Sequence, residues 1–418
     1  MKRMDVFESL ESEVRSYCRG WPAVFDKASG SHLYDEDGNA FLDFFAGAGT
    51  LNYGHNHPQL KERLLDYLAG DNIVHSLDMY TVAKRRFLET FNDVILAPRG
   101  LDYRIQFPGP AGAAAVEAAL KLARKYTGRE TIVSFTNAFH GMSLGALAVT
   151  GNSMKRSGAG IPLNHTVPMP FDNYLEGQTP DFLLFDRLLD DSGSGLDLPA
   201  AVIVETVQGE GGLNAATPGW LRGLADLCRR HEILLIVDDV QMGCGRTGPF
   251  FSFEQAGIVP DIVCLSKSLS GYGLPFAVTL FKPELDVWEP GEHNGTFRGP
   301  NPAFVTATAA MEFWTGEGME KETLSKGDQV EEALTRIAAA HPDAITCVRG
   351  RGLAQGLAFA DAEAAPAVCA QAFDRRLLLE TSGPEGEVVK LLPPLTTTSD
   401  ELAEGLDIIA ASVDAVLV

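Results

Sequence analysis

Three short apolar runs, each ending in an ionisable residue at nearly equal intervals, constrain this chain more than any other feature. Ala200–Val204 is followed by Glu205, Ile233–Val237 by Asp238, and Asp261–Ser266 by Lys267. Intervals of this length match about one strand–helix–strand unit each. In an open parallel sheet the ligand crevice lies outside the carboxyl ends of the strands, so the pattern predicts that two acids and a lysine meet at one edge. One charge after a buried strand ordinarily marks where the chain reaches solvent; three in register ask for another reason. A lysine leaving an apolar strand is partly desolvated, which lowers its pKa and frees its amine for carbonyl chemistry. A nearby aspartate can hold a protonated ring nitrogen of a cofactor that works as an electron sink.

The surrounding sequence supports alternating units. From about 100 to 285, β-branched runs at 104–107, 131–135, 200–205, 233–238 and 261–266 alternate with helical patterns at 112–126 and 218–231, the signature of a mostly parallel sheet. The stretch 151–199, rich in Gly, Pro, Asp and Ser, is expected to be a surface excursion. A turn-rich hairpin is expected over 30–44 and a helix near 57–70. Helices near 301–314, 324–340, 364–377 and 399–414, with strands near 345–359, suggest a second α+β unit. The expected division is an N-terminal segment 1–60 belonging to a small domain, a large domain 61–310, and the rest of the small domain at 311–418.

Composition removes several classes. Of 418 residues, 34 are Lys or Arg and 56 are Asp or Glu, a formal charge of −22, which argues against nucleic acid or an anionic membrane as the main partner. No apolar run reaches the eighteen or so residues of a membrane span, and the charged start Met1-Lys2-Arg3-Met4-Asp5 does not resemble a signal peptide. The six cysteines form no C-x-x-C pair, so a reduced, cytoplasmic protein without a zinc site is expected.

A phosphate site is suggested ahead of the three strands. Phe107-Pro108-Gly109-Pro110-Ala111-Gly112-Ala113 leads from a strand through a Gly/Pro turn into an Ala-rich helix. The free backbone N–H groups of Gly112 and Ala113 would form an anion site without any side chain. Gly243-Cys244-Gly245-Arg246-Thr247-Gly248 fits G-x-G-x-x-G, yet Pro249-Phe250-Phe251 follows it where a dinucleotide site needs a long helix, so a nicotinamide reading is set aside.

Val237-Asp238-Asp239-Val240-Gln241-Met242-Gly243-Cys244-Gly245-Arg246-Thr247-Gly248, with Pro260-Asp261-Ile262 and Ser266-Lys267-Ser268, resembles the signature of class III (ω-amino-acid) aminotransferases. The resemblance implies fold-type I: a large domain around a mostly parallel seven-stranded sheet, and a smaller α+β domain from both chain ends. Within the class, Arg15–Arg19, Asp43–Gly49, Val204–Gly212, Ser268–Pro275 and Gly291–Gly299 are similar to the subgroup that interconverts glutamate and aspartate 4-semialdehyde with 2-oxoglutarate and 2,4-diaminobutyrate on the route to ectoine. Transaminases of ornithine or 4-aminobutyrate, diaminobutyrate supply for a peptide or siderophore, an aminomutase, and a non-catalytic binding protein are the alternatives.

The resemblance implies pyridoxal 5′-phosphate as cofactor. Lys267 would hold its aldehyde and Asp238 its pyridine nitrogen. Phe139 would stack on one ring face and Val240 pack the other, although from sequence alone Phe139 reads as a core aromatic. Gln241 would approach the ring hydroxyl. His140 would support the site from behind. Gly112 and Ala113 would take the phosphate together with Thr296 of a neighbouring subunit, because the class places its site at a homodimer interface; a tetramer stays open. Glu210 matches the glutamate that regulates a carboxylate clamp, and Lys390 occupies the clamp position where arginine is usual. Lys390 keeps the charge and loses the planar fork. Ala111-Gly112-Ala113-Ala114 stands where the subgroup has Thr-Gly-Thr-Asn, so phosphate binding is expected to be weaker. Asp239 stands where most of the class has glutamate. Glu205 is expected to be structural. His55 and His57 share a loop that would approach the partner subunit's active site, where a turn role is at least as good a reading as a functional one, and Tyr272 and Arg298 lie near the site by motif without an assigned role.

Overall fold

Ala201–Val204 and Ile262–Leu265 are apolar and buried at every position, and their neighbours nearly so, which is what a sheet covered on both faces requires. In the computed structural model, which describes residues 4–175 and 182–417, these strands form a seven-stranded sheet. Its spatial order is Arg104–Gln106, Val278–Phe281, Ile262–Leu265, Leu234–Asp238, Ala201–Val204, Ile132–Phe135 and Thr166–Met169. All pairs are parallel except those of Val278–Phe281, which runs antiparallel to both neighbours. The alternating pattern did not single out that strand, because only the short 3-10 turn Lys267–Ser270, and no crossover α-helix, separates it from Ile262–Leu265.

Helices Gly112–Thr127 and Pro218–Arg230 are two of the crossovers. The second starts where its sequence says it should: Thr217 Oγ1 accepts the Trp220 N–H, Pro218 opens the first turn, and both features favour a helix start. The first ends at Gly128, in the left-handed region at φ 68°, a conformation that costs glycine little.

The expected surface excursion over 151–199 needs correction. Its described part contains helices Ser153–Ser157 and Leu183–Asp190 and the edge strand Thr166–Met169. That strand, with a proline at Pro168, reads as loop by composition; a sheet edge tolerates the missing N–H. Residues 176–181 of the excursion lie outside the described residues. Helix Gly318–Ala340 also begins ahead of its expected start at 324, and Val82–Thr90 is a helix where none was read.

The two chain ends meet. Phe25–Ser29, His32–Asp35 and Ala40–Asp43 form an antiparallel meander, and Leu377–Leu378 adds in parallel beside Ala40–Asp43. Ile345–Arg351, Ala354–Phe359, Val388–Leu391 and Glu380–Ser382 form a second, antiparallel sheet in that order. Leu42 and Phe44 share one apolar core with Leu334, Leu357, Val389 and Ile409. No described helix is long and apolar enough to cross a membrane. Cys228, Cys244 and Cys264 are buried, Cys369 partly so, and Cys18 and Cys347 are exposed.

Candidate active site

The register of three adjacent strands brings the expected acids and lysine to one edge. Ile236 pairs with Ile203 on one side and Ile262 on the other, so Glu205 and Asp238 sit level, two residues further on, and Lys267 emerges beside them. Lys267 itself has φ 48°, in the left-handed region where a side chain with a Cβ is strained; such conformations collect at functional sites. Its ammonium donates to the Ala48 carbonyl at 2.9 Å. Burial, opposed by Glu210, lowers its pKa.

Asp238 is anchored on both oxygens. Oδ1 accepts the Val240 N–H at 3.1 Å and Oδ2 lies 2.7 Å from His140 Nδ1. Burial works against a charged His140, but the bond to Asp238 and the charges of Asp238 and Glu205 prevail and raise its pKa. Its Nε2 is buried without a hydrogen-bond partner. Glu205 is pushed up to about 7 by burial, with His140 pulling the other way. Its carboxylate accepts the N–H groups of Phe139 and Gly209, which makes it the brace of the Phe139 turn, in line with its expected structural role.

The helix start at Gly112 faces the same edge. Ala114 and Ala115 N–H groups donate back to Ala111 O, and those of Gly112 and Ala113 have no acceptor among the described residues. Ala111, the N-cap, offers no side-chain bond. A Cβ on Gly112 would lie 2.7 Å from Val240 Cγ1, so only glycine lets this helix approach Val240 so closely. Phe139 is half-buried, not a core aromatic, and Lys155 Nζ lies 4.2 Å from its ring centroid. Gln241 Nε2 donates to Ala48 O at 3.0 Å and to Glu210 Oε1 at 3.3 Å, while its buried Oε1 has no partner.

A second charge cluster adjoins Lys267. Lys390, fully buried, has its Nζ 2.7 Å from Glu210 Oε1 and 3.0 Å from Glu380 Oε1. Burial is outweighed by the two carboxylates, which raise the pKa of Lys390. Glu210 falls to about 2 because Lys390 and Lys267 overcome its burial. Tyr17, tilted against Phe45 with ring centroids 5.0 Å apart, borders this cluster: burial, then Glu210 and Glu380, push its phenol up to about 12. Glu380 and Lys155 were not singled out from the sequence. For Glu380 a signal existed, since the Gly383-Pro384-Glu385-Gly386 turn makes a hairpin that sets Glu380 opposite Lys390.

Other candidates stand apart. Thr296 is exposed in the loop after residue 290, its carbonyl 2.9 Å from His75 Nε2, and within one chain it does not join the Lys267 cluster. Arg298 pairs with Asp78, and Tyr272 donates to Asn56 Oδ1 in an exposed contact. His55 Nε2 lies 2.7 Å from Oδ2 of Asp43, whose Oδ1 accepts the Phe45 and Ala46 N–H groups, and His55 bridges Gly30; His57 precedes helix Pro58–Ala69 and packs edge-on against Phe313. The G-x-G-x-x-G glycines pack against side chains: a Cβ on Gly245 would overlap Trp314, and one on Gly248 would overlap Leu324. Arg246 between them donates to the Leu353 and Pro393 carbonyls and to Asn52 Oδ1, joining chain segments.

The residues present fit pyridoxal phosphate. A partly buried lysine, a carboxylate fixed for a ring nitrogen, an unpartnered amide oxygen for a ring hydroxyl and two unused helix-start N–H groups are the groups this cofactor needs, and Gly112 and Asp238 both adjoin Val240. What this helix start lacks is a phosphate-binding hydroxyl of its own. Comparison with known proteins agrees with this chemistry. The family model "Aminotransferase class-III" matches residues 17–413. Diaminobutyrate–2-oxoglutarate transaminase of Streptomyces anulatus is 68% identical over 411 residues, covering 98% of this chain and 97% of that protein; the enzyme of the same name from Streptomyces avermitilis is 66% identical over 412 residues, covering 98% and 97%. A solved ornithine aminotransferase from Toxoplasma gondii, with pyridoxal phosphate at partial occupancy, superposes with a TM-score of 0.86 at 26% identity, covering 99% of this chain and 93% of that one. The chain belongs to the class III aminotransferases.

Proposed function

We propose that this chain is a pyridoxal-phosphate-dependent transaminase that exchanges the amino group of L-glutamate with L-aspartate 4-semialdehyde, giving 2-oxoglutarate and L-2,4-diaminobutyrate. The observation that carries this reading is the buried Lys390–Glu210 pair beside Lys267, a carboxylate clamp that its own glutamate can close. The two substrate pairs differ in just that respect. Glutamate and 2-oxoglutarate carry a carboxylate on the reacting carbon; diaminobutyrate and the semialdehyde carry none there. The names of relatives at 66–68% identity support the same substrates.

When bound, pyridoxal phosphate supplies the electron sink for cleavage of the bond to hydrogen at the substrate carbon. The protein does the rest. Lys267, its ammonium weakened by burial, is available as a neutral amine to take the proton from the substrate carbon and deliver it elsewhere. Asp238 holds the proton on the ring nitrogen, and His140, buried behind it, fixes the carboxylate. Val240 and Phe139 keep the ring plane, Gln241 meets the ring hydroxyl, and Gly112 and Ala113 take the phosphate with Thr296 from a second copy. Glu210 covers Lys390 when the reacting carbon bears no carboxylate and leaves it when one arrives.

We read the assembly as a homodimer with shared sites, acting in the cytoplasm, and keep the domain division 1–60 with 311–418 around 61–310. Incubation with glutamate and aspartate 4-semialdehyde, followed by mass identification of 2,4-diaminobutyrate, tests the reaction. A higher kcat/KM for ornithine or 4-aminobutyrate as donor to 2-oxoglutarate would assign the chain to another ω-amine.

A further inference from the structure

Two carboxylates hold Lys390, and the exchange described above uses only one. Glu210 follows the short strand Val207–Gln208 in the glycine-rich segment Gly209-Glu210-Gly211-Gly212, and its side chain keeps 19% exposure where that of Lys390 has none. Glu380 is fixed. It lies directly across an antiparallel strand pair from Lys390, a position that brings Cβ atoms within roughly 5 Å. It is 7% exposed. Its Oε1 is 3.0 Å from Lys390 Nζ but has no aligned hydrogen-bond donor.

One buried ammonium therefore faces two carboxylates, and a substrate carboxylate would be a third negative group. Burial pushes Glu380 up to about 7; Lys390 opposes this, Glu210 adds to it, and Lys267 pulls it down. The remaining groups that feel Glu380 are the Tyr17 phenol and the Cys369 thiol, both pushed up to about 12 chiefly by burial and so uncharged near neutrality.

We propose that Glu380 is a positioning residue for substrate selection: it takes up a proton from solvent when a substrate carboxylate docks on Lys390 and displaces Glu210, and releases it when Glu210 returns. This inference rests on the transaminase reading. Because the displaced Glu210 stays in the same cluster, the docked carboxylate adds a third negative charge; this raises the proton affinity of Glu380, and by reciprocity protonation of Glu380 raises affinity for that carboxylate. Binding of 2-oxoglutarate then weakens as pH rises through neutrality, by at most tenfold per pH unit for one linked proton. Diaminobutyrate, with no carboxylate at the reacting carbon, leaves Glu210 in place and draws no proton through Glu380.

The test is calorimetric titration of the holoenzyme with glutarate, a non-reacting dicarboxylate, at slightly alkaline pH in buffers of unlike ionisation enthalpy. The expected result is uptake of a substantial fraction of a proton per site, lost in Glu380→Gln, together with a flattened pH dependence of KM for 2-oxoglutarate and an unchanged one for diaminobutyrate. No uptake in the wild type, or equal uptake in Glu380→Gln, overturns the proposal. Should Glu380→Gln not fold, Glu210→Gln decides: uptake that persists supports Glu380, and uptake that vanishes moves the proton to Glu210. A holoenzyme that takes up the proton but forms no diaminobutyrate loses the substrate reading and keeps the clamp.

Discussion

His140 Nδ1 meets Asp238 Oδ2 at 2.7 Å, with both side chains buried at the carboxyl edge of the central sheet. The contact joins a turn residue 98 positions upstream to the end of a strand. It fixes a carboxylate that must face a ring nitrogen. Asp238→Asn should keep the cofactor and lose most of the rate, at least a hundredfold, because the amide cannot hold the ring proton by charge. His140→Ala should cost less, about tenfold in kcat, since it removes one charge-assisted hydrogen bond behind the carboxylate. Steady-state kinetics with the visible spectrum of each variant check the order; equal losses would mean that His140 does more than orient Asp238.

Lys267 is held in a left-handed backbone conformation with its ammonium on the Ala48 carbonyl. Lys267→Ala should abolish turnover and the visible absorbance of the linked cofactor, while the protein still binds free cofactor weakly. Turnover retained in that variant would remove the central claim.

Much of this arrangement was legible in the sequence for a definite reason. Strands buried on both faces must be continuously apolar, so Ala201–Val204, Leu234–Asp238 and Ile262–Leu265 and the charges after them stand out. What stayed hidden depends on long-range pairing or on exceptions to local preference. Thr166–Met169 looked like loop because an edge strand accepts Pro168. The strain at Lys267 has no local signal, since nothing in Ser266-Lys267-Ser268 favours positive φ. Glu380 faces Lys390 across a hairpin whose glycine turn the sequence does carry, whereas Lys155 becomes visible only through its place over Phe139.

The helix that starts at Gly112 lacks a side-chain cap at Ala111 and a hydroxyl at Ala113. Restoring one should tighten phosphate binding. Ala113→Thr is expected to lower the dissociation constant for pyridoxal phosphate about fivefold, the equivalent of one hydrogen bond of about 1 kcal/mol. Reconstitution of apoenzyme, followed by absorbance at increasing cofactor, measures it. An unchanged constant would show that the backbone N–H groups already saturate the phosphate.

Asp239 carries a charge problem of its own. It is 1% exposed, Oδ2 accepts the Ser252 N–H at 3.0 Å, and Oδ1 has no partner. Burial pushes it up to about 7 from 3.8. An unfolded chain releases this proton near the ordinary carboxylate value, whereas the folded chain keeps it until about neutrality. The native state therefore binds more protons between these limits, and stability falls as pH rises across that window, then levels off. Asp239→Asn removes this contribution, so its stability relative to wild type should improve from pH 4 to pH 7 by up to a few kcal/mol. Glu205 and Glu380, both pushed up to about 7, keep part of the slope in the variant. Urea midpoints at pH 5 and pH 8 check the prediction: a variant whose midpoint tracks wild type at both would mean that Asp239 is solvated or paired through a route other than Ser252.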